Sequence, residues 1–181
     1  ADLENLMNEG ALAAARRGAR FISADDLHEA MMKVMAGPEK RSRVVTEQAR
    51  RLTAYHEAGH AVVIHCLPSQ DPVHQITIIP RGMAMGATMS LPKDDEPMAS
   101  KRQILDMIAV CFGGRTAEEL TMDDISTGAS GDIQQATNIA RAMVTQYGMS
   151  EKLGPISYDS SGHSIFIGRD FGQMKSYSEE T

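Results

Sequence analysis

The chain has 181 residues, enough for one or two small domains with an apolar core, and its 42% hydrophobic and 23% charged content is that of a globular protein. A formal net charge of −6 argues against the basic surface that nucleic-acid binding needs. The sequence shows no secretory-leader pattern and no apolar run long enough to cross a membrane.

Thirteen methionines with only 4% aromatics and no Trp suggest an adaptable, helical core. The two cysteines, Cys66 and Cys111, lie in apolar helical contexts and read as buried free thiols rather than a disulfide or ligands.

Residues 1–20 predict an amphipathic helix, with Leu3, Leu6, Met7 and Ala14 on one face and Arg16, Arg17 and Arg20 toward its end. Ser23 starts a second helix. Asp26 completes a capping box with it, and Ile22 and Leu27 form a hydrophobic staple. Leu27, Ala30, Met31 and Val34 repeat at helical spacing until Gly37-Pro38 stops the run, and His28 reads as an exposed helix residue. Residues 39–43 form a charged hinge, which divides the chain into a two-helix unit over 1–37 and a second unit over 38–181.

A third helix is expected over 47–67, capped by Thr46 and ended by Pro68. It carries His56-Glu57-Ala58-Gly59-His60, an HExxH pattern. Residues four apart share a helix face, so both imidazoles can bind one zinc ion from the same side. Glu57 beside them is placed to take a proton from water whose pKa the zinc lowers, and to pass it to a leaving amine. The pattern points to metal-assisted peptide hydrolysis.

After Pro72 the period changes to that of strands. Residues 73–79 are rich in β-branched side chains, 81–86 form a turn, and 87–91 return. An open edge on this ribbon would accept an extended peptide by strand addition; a purely structural hairpin fits the pattern equally well.

Residues 92–99 read as a polar loop, and Ser100 with Gln103 opens a fourth helix. Ile104, Ile108, Cys111, Arg115 and Glu118 share one stripe, so Glu118 points inward and needs a partner. A small-residue loop, Ser126 to Gly131, then leads through Asp132 into a fifth helix. Its apolar face is Ile133, Ala136, Ala140, Met143, Val144 and Tyr147, and Gly148 ends it. The loop lacks the Gly-Lys-Ser/Thr of a phosphate-binding P-loop.

Two histidines leave zinc short of a third protein ligand. Neither the metzincin histidine extension nor a thermolysin-type glutamate helix is present. Asp132, Glu118 and Glu119 remain as candidates, Glu118 also as a hydrogen-bond partner of a ligating histidine. His74 and His163 have no partner at ligand spacing.

Four motifs resemble, in order, the FtsH-type ATP-dependent zinc metalloproteases: His56 to His60, Thr77-Ile78-Ile79-Pro80-Arg81-Gly82, Gly113-Gly114-Arg115-Thr116-Ala117-Glu118-Glu119, and Ser126 to Asp132. Leu153-Gly154-Pro155 fits as well, and the likeness runs over the whole chain.

The resemblance implies a mainly α fold, a helical zinc peptidase domain with a small β-ribbon, preceded by a two-helix remnant of an AAA+ lid. By the same resemblance His56, His60 and Asp132 are the zinc ligands, Glu57 is the catalytic base, and Glu118 supports the zinc site. Ile76, Thr77, Ile78, Ile79, Pro80, Arg81 and Gly82 fall on the strand lining the substrate cleft.

In an intact protein of this kind the domain belongs to a homo-hexamer at a membrane, by expectation the cytoplasmic face of a bacterial inner membrane. There it degrades unfolded or membrane-extracted polypeptides. ATP and Mg2+ belong to an AAA+ core that this stretch lacks, and one Zn2+ is expected per chain. The stretch reads as a piece of a longer protein, cut before the closing helices of the peptidase domain. Two departures stand out. The stretch between Leu120 and Ser126 is shorter than usual, and Gly10 replaces an alanine in the lid helix, which weakens helix propensity by up to about 1 kcal/mol. Two rival readings are a zinc-stabilised assembly module that does not cut and a phosphate-binding module over 126–133. The intact Glu57 speaks against the first.

Overall fold

The computed structural model describes residues 2–40, 42, 44–93 and 98–158. His163 and the expected closing helix from Ser178 lie outside the described residues. The chain runs α1 (Asp2–Arg16), α2 (Ala24–Ala36), α3 (Glu47–Cys66), β1 (Val73–Thr77), β2 (Ala87–Ser90), α4 (Lys101–Met122), a 3-10 turn (Thr127–Ala129) and α5 (Ser130–Thr145). It is mainly helical with one small antiparallel ribbon. Among the described residues no helix is long and apolar enough to cross a membrane.

Helices α1 and α2 pack on each other. The α1 helix is shorter than its periodicity suggests, ending at Arg16 before Gly18 takes a left-handed conformation (φ 68°). Its buried positions are Gly10 and Ala14, while Leu3 is 72% exposed. Gly10 has a packing reason. A Cβ there would stand 3.2 Å from Leu27 Cδ2 and 3.4 Å from Ile22 Cγ2, so glycine lets α2 approach closely. The capping box of α2 forms as predicted: Asp26 N–H donates to Ser23 Oγ, and Ser23 N–H donates to Asp26 Oδ2. Arg17 closes the corner from α1, donating to both Asp26 oxygens at 3.0 and 2.5 Å. Lys33 and Glu9 pair across the two helices. The buried face of α2 is Asp26, Ala30 and Met32, and Val34 points outward instead.

The residues expected to act as a charged hinge are tied down where they are described. Glu39 and Arg81 form an antiparallel bridge. Lys40 N–H donates to Pro80 O at 2.8 Å, and Gly82 N–H to Pro38 O at 3.3 Å. Arg81 is buried. Its guanidinium donates to Glu39 Oε1 at 2.6 Å and to Glu29 Oε2 of α2 at 3.0 Å. His28 of α2 and His74 of β1 stack with ring centroids 5.8 Å apart. The two-helix unit is thus fastened to the ribbon by ionic, main-chain and ring contacts.

Helices α3 and α4 make the closest crossing, and glycine explains it. A Cβ on Gly59 would fall 2.3 Å from Gly113 O, and one on Gly113 would fall 2.8 Å from Gly59 O. The two backbones touch where these residues face each other. Caps hold as predicted. Thr46 accepts from Ala49 N–H at the start of α3, and Ser100 and Gln103 cap α4 reciprocally. Cys111 is buried in α4, but Cys66, at the exposed last turn of α3, is not. Burial also divides the α5 stripe: Ala136 and Met143 are buried, whereas Tyr147 is 57% exposed.

Candidate metal centre

The α3–α4 crossing brings one turn of α3 under α4. His56, Glu57 and His60 lie on that turn, and Glu57 and His60 are buried. Next to the crossing glycine stands Gly114. A Cβ there would lie 2.5 Å from His56 Nε2 and 2.6 Å from His60 Nε2. The two adjacent glycines therefore have different duties. Gly113 lets the helices touch, and Gly114 leaves room for the imidazoles.

Each imidazole is locked through Nδ1. His56 Nδ1 is 2.7 Å from Glu118 Oε1, and His60 Nδ1 is 2.7 Å from the Val110 carbonyl. Both partners are acceptors, so Nδ1 carries a proton and Nε2 is the atom left to meet a cation. The two Nε2 atoms face each other at 3.0 Å. The 3-10 turn and the start of α5 then bring in Asp132. Its Oδ2 lies 3.2 Å from His56 Nε2 and 3.7 Å from His60 Nε2. Among the described residues, His56, His60 and Asp132 form a cluster able to hold a metal ion.

The donor set fits zinc. Tetrahedral bonds of about 2.0–2.1 Å place neighbouring ligand atoms roughly 3.3–3.4 Å apart, and the three separations bracket that value. Two nitrogen lone pairs and a carboxylate converging on one point favour a cation there.

Electrostatics agree with the geometry. Asp132 chiefly, with Glu118 adding and burial opposing, holds the His56 pKa up to about 8. Burial works against charge on His60, but Asp132 and the Val110 carbonyl outweigh it and its pKa is also raised. Burial would raise the Asp132 pKa, yet the two histidines hold it well below the usual carboxylate range. For Glu118 burial is likewise overcome, by the Ser126 N–H and by His56.

Glu118 is the most deeply placed acid of the site, 1% exposed. One oxygen takes His56, and the other accepts from Ser126 N–H at 2.7 Å. It thereby joins the ligand helix to the loop that delivers Asp132. That loop turns through Asp123, whose φ of 53° is the only positive value among the described non-glycine residues. Glu119, the other candidate from the sequence, is exposed on α4.

Glu57 borders the same cleft of about 740 Å³ as the three ligands. The cleft is also lined by the stretch Met83 to Thr88 and, from α5, by Ser130 and Gln135. None of Ile76 to Gly82 lines the cleft. Ile76, Ile78 and Ile79 are exposed elsewhere on the ribbon, and Arg81 is turned inward to its two glutamates.

Reasoning from sequence did not single out Gly114 as the room-giver, Val110 as a main-chain acceptor, or Gly86 and Thr88 as neighbours of Glu57. For the last pair a signal existed. Residues two apart in a strand face the same side, and 86 and 88 are a small residue and a hydroxyl.

Residues 43–181 match Peptidase family M41. The chain is 57% identical over 180 residues to the ATP-dependent zinc metalloprotease FtsH 1 of Thermoanaerobacter sp. (strain X514), covering 99% of this chain and 30% of that protein. It is 55% identical to the ATP-dependent zinc metalloprotease FtsH of Caldicellulosiruptor bescii over 180 residues, 99% of this chain and 29% of that protein. Identity to the protein of the same name from Slackia heliotrinireducens is 53% over 181 residues, all of this chain and 23% of that protein. The chain thus spans less than a third of the length of each of these relatives.

Proposed function

This chain belongs to peptidase family M41, and we propose that it is the zinc-dependent endopeptidase part of a longer, ATP-driven protease. The observation that carries this reading is the convergence of His56, His60 and Asp132, with Glu57 on the same helical turn. A zinc ion held by those three residues would polarise a peptide carbonyl and lower the pKa of water at neutral pH.

The residues divide the remaining work. Glu57 takes the proton from the attacking water and returns it to the departing amine nitrogen. Glu118 and the Val110 carbonyl keep both imidazoles presenting Nε2. Substrate is an extended polypeptide lying along the ribbon, held through main-chain hydrogen bonds and so with little sequence preference. Cleft-lining Met83 to Thr88 supports this. The stretch Ile76–Gly82, the end of β1 and the turn after it, is then the layer behind the seat, with Arg81 anchoring it to α2.

Beyond the site, we infer three further things from the motif resemblance to FtsH-type proteases; of these the relatives' names carry only the dependence on ATP. Residues 1–37 are the end of an AAA+ lid and 38–181 belong to the peptidase. ATP and Mg2+ act on a core outside this chain. The whole protein is a membrane-associated homo-hexamer, facing the bacterial cytoplasm, that degrades unfolded and membrane-extracted proteins.

The test is Glu57→Gln in the full-length protein, assayed on an unfolded protein substrate. Zinc content should stay at the wild-type level while cleavage falls by about 10²–10⁴-fold. Wild-type cleavage by this variant would contradict the assignment.

A further inference from the structure

Glu57 is buried, yet its carboxylate is not held by any charged neighbour among the described hydrogen bonds and ion pairs. What meets it is a hydroxyl on the ribbon. Thr88 Oγ1 donates toward Glu57 Oε2 at 2.8 Å and also lies 2.9 Å from the Glu57 main-chain carbonyl. One residue of β2 thus grips both the side chain and the backbone of one residue of α3.

The approach needed for that grip is built into the strand. Gly86, just before β2, faces Glu57 as Thr88 does. A Cβ on Gly86 would stand 2.9 Å from Glu57 Cγ, 2.7 Å from Thr53 Cγ2 and 2.7 Å from the Thr77 carbonyl oxygen. Any larger residue would push β2 away from α3 and pull the Thr88 hydroxyl out of reach. Thr88 is also β-branched, which limits its χ1 freedom and keeps the hydroxyl aimed.

We propose that Thr88 is a positioning residue for the reaction: its hydroxyl fixes the rotamer of Glu57 by occupying Oε2, and leaves Oε1 to meet the water. The proposal rests on the reading of Glu57 as the base. It gives the ribbon a second duty. Thr88 sits at the end of the cleft wall that runs from Met83, so a peptide seated along that wall and the carboxylate that serves it are held by one strand. Because a buried carboxylate without this donor is free to rotate, losing the hydroxyl should reduce turnover more than binding.

The experiment compares wild type, Thr88→Val and Thr88→Ser in the full-length protein. It reads kcat and KM on a short reporter peptide, together with zinc per chain and the thermal midpoint. Valine keeps the branched shape and removes the hydroxyl; serine keeps the hydroxyl.

Thr88→Val should lower kcat by about ten- to a hundred-fold, with KM and zinc close to wild type. Thr88→Ser should restore kcat to within about threefold. If the valine variant melts early, Thr88→Ala takes its place with the same expectation. Unchanged kcat without the hydroxyl would overturn the proposal. So would a loss that follows zinc or KM and is not rescued by serine, because that is the mark of a structural role. If wild type itself cleaves nothing, the functional reading fails first; if wild type cleaves and only the Thr88 pattern fails, the functional reading stands.

Discussion

The α1–α2 unit and the α3–α5 region both bury acids, and they neutralise them in opposite ways. In the first, the chain supplies its own cations. Arg17 meets Asp26, and Arg81 reaches in from the ribbon to Glu29 and Glu39. In the second, the only ionisable partners of Glu118 and Asp132 among the described ion pairs are histidines, whose pKa values they raise. An arginine fills its site permanently and with a fixed fork of donors. A pair of imidazoles with both Nε2 lone pairs turned to one carboxylate leaves the place of the cation to an ion. The same chemistry of buried negative charge thus makes a fastening in one region and a metal site in the other.

That comparison can be broken most forcefully at Arg81. Arg81→Met keeps an apolar stem but leaves Glu39 and Glu29 without their cation. Glu39 loses a charged hydrogen bond in a largely buried place while half-exposed Glu29 stays in contact with water, so the cost is about 1–3 kcal/mol. The unfolding midpoint should fall accordingly while zinc per chain stays at its wild-type level. A variant as stable as wild type, or one that loses zinc, would erase the distinction between fastening and metal site.

Glu118→Gln sharpens the other side. Loss of the carboxylate behind His56 should weaken zinc binding by about 10–100-fold, measured by competition with a chelator, with helix content retained. An unchanged zinc Kd would mean that His56 is oriented by packing alone.

The smallest effect is expected at the Arg17–Asp26 pair, whose arginine is exposed. Arg17 chiefly, with Ser23, holds the Asp26 carboxyl down to about 2 from 3.8. A lowered pKa contributes stability that is present above about 3.8 and lost as pH falls through about 2. Hydrogen exchange of the α2 amides should therefore separate wild type from Asp26→Asn above pH 3.8, and the gap should close on acidification through that window. A gap that persisted at the acid end would assign the stabilisation to something other than the carboxylate charge.

Much of this arrangement was legible before any coordinates. Local rules found the caps at Ser23, Thr46 and Ser100, because a cap is a matter of three or four neighbouring residues. The four-residue spacing gave His56 and His60, and the stripe on α4 turned Glu118 inward. Four things were not legible from local pattern.

The third metal donor depended on how a loop of irregular backbone returns to α3, and spacing alone left Asp132, Glu118 and, more weakly, Glu119 as candidates. The side of the ribbon that meets the cleft depended on the turn at Arg81–Gly86. There the inward anchoring of Arg81 leaves Met83 to Thr88 as the wall. Cys66 read as buried because its neighbours are apolar, yet it is the last residue of α3 and is exposed. Gly10 read as a helix weakener for the same reason: propensity sees one helix, and the Leu27 contact belongs to two.

The most direct test of the central claim is zinc per chain, by elemental analysis after dialysis, for wild type and Asp132→Ala. About one zinc in the wild type and a sharp loss in the variant is the expected result, since two imidazoles alone are a poor site. Zinc retained equally by both proteins, or none in the wild type after reconstitution, would contradict a centre built from His56, His60 and Asp132.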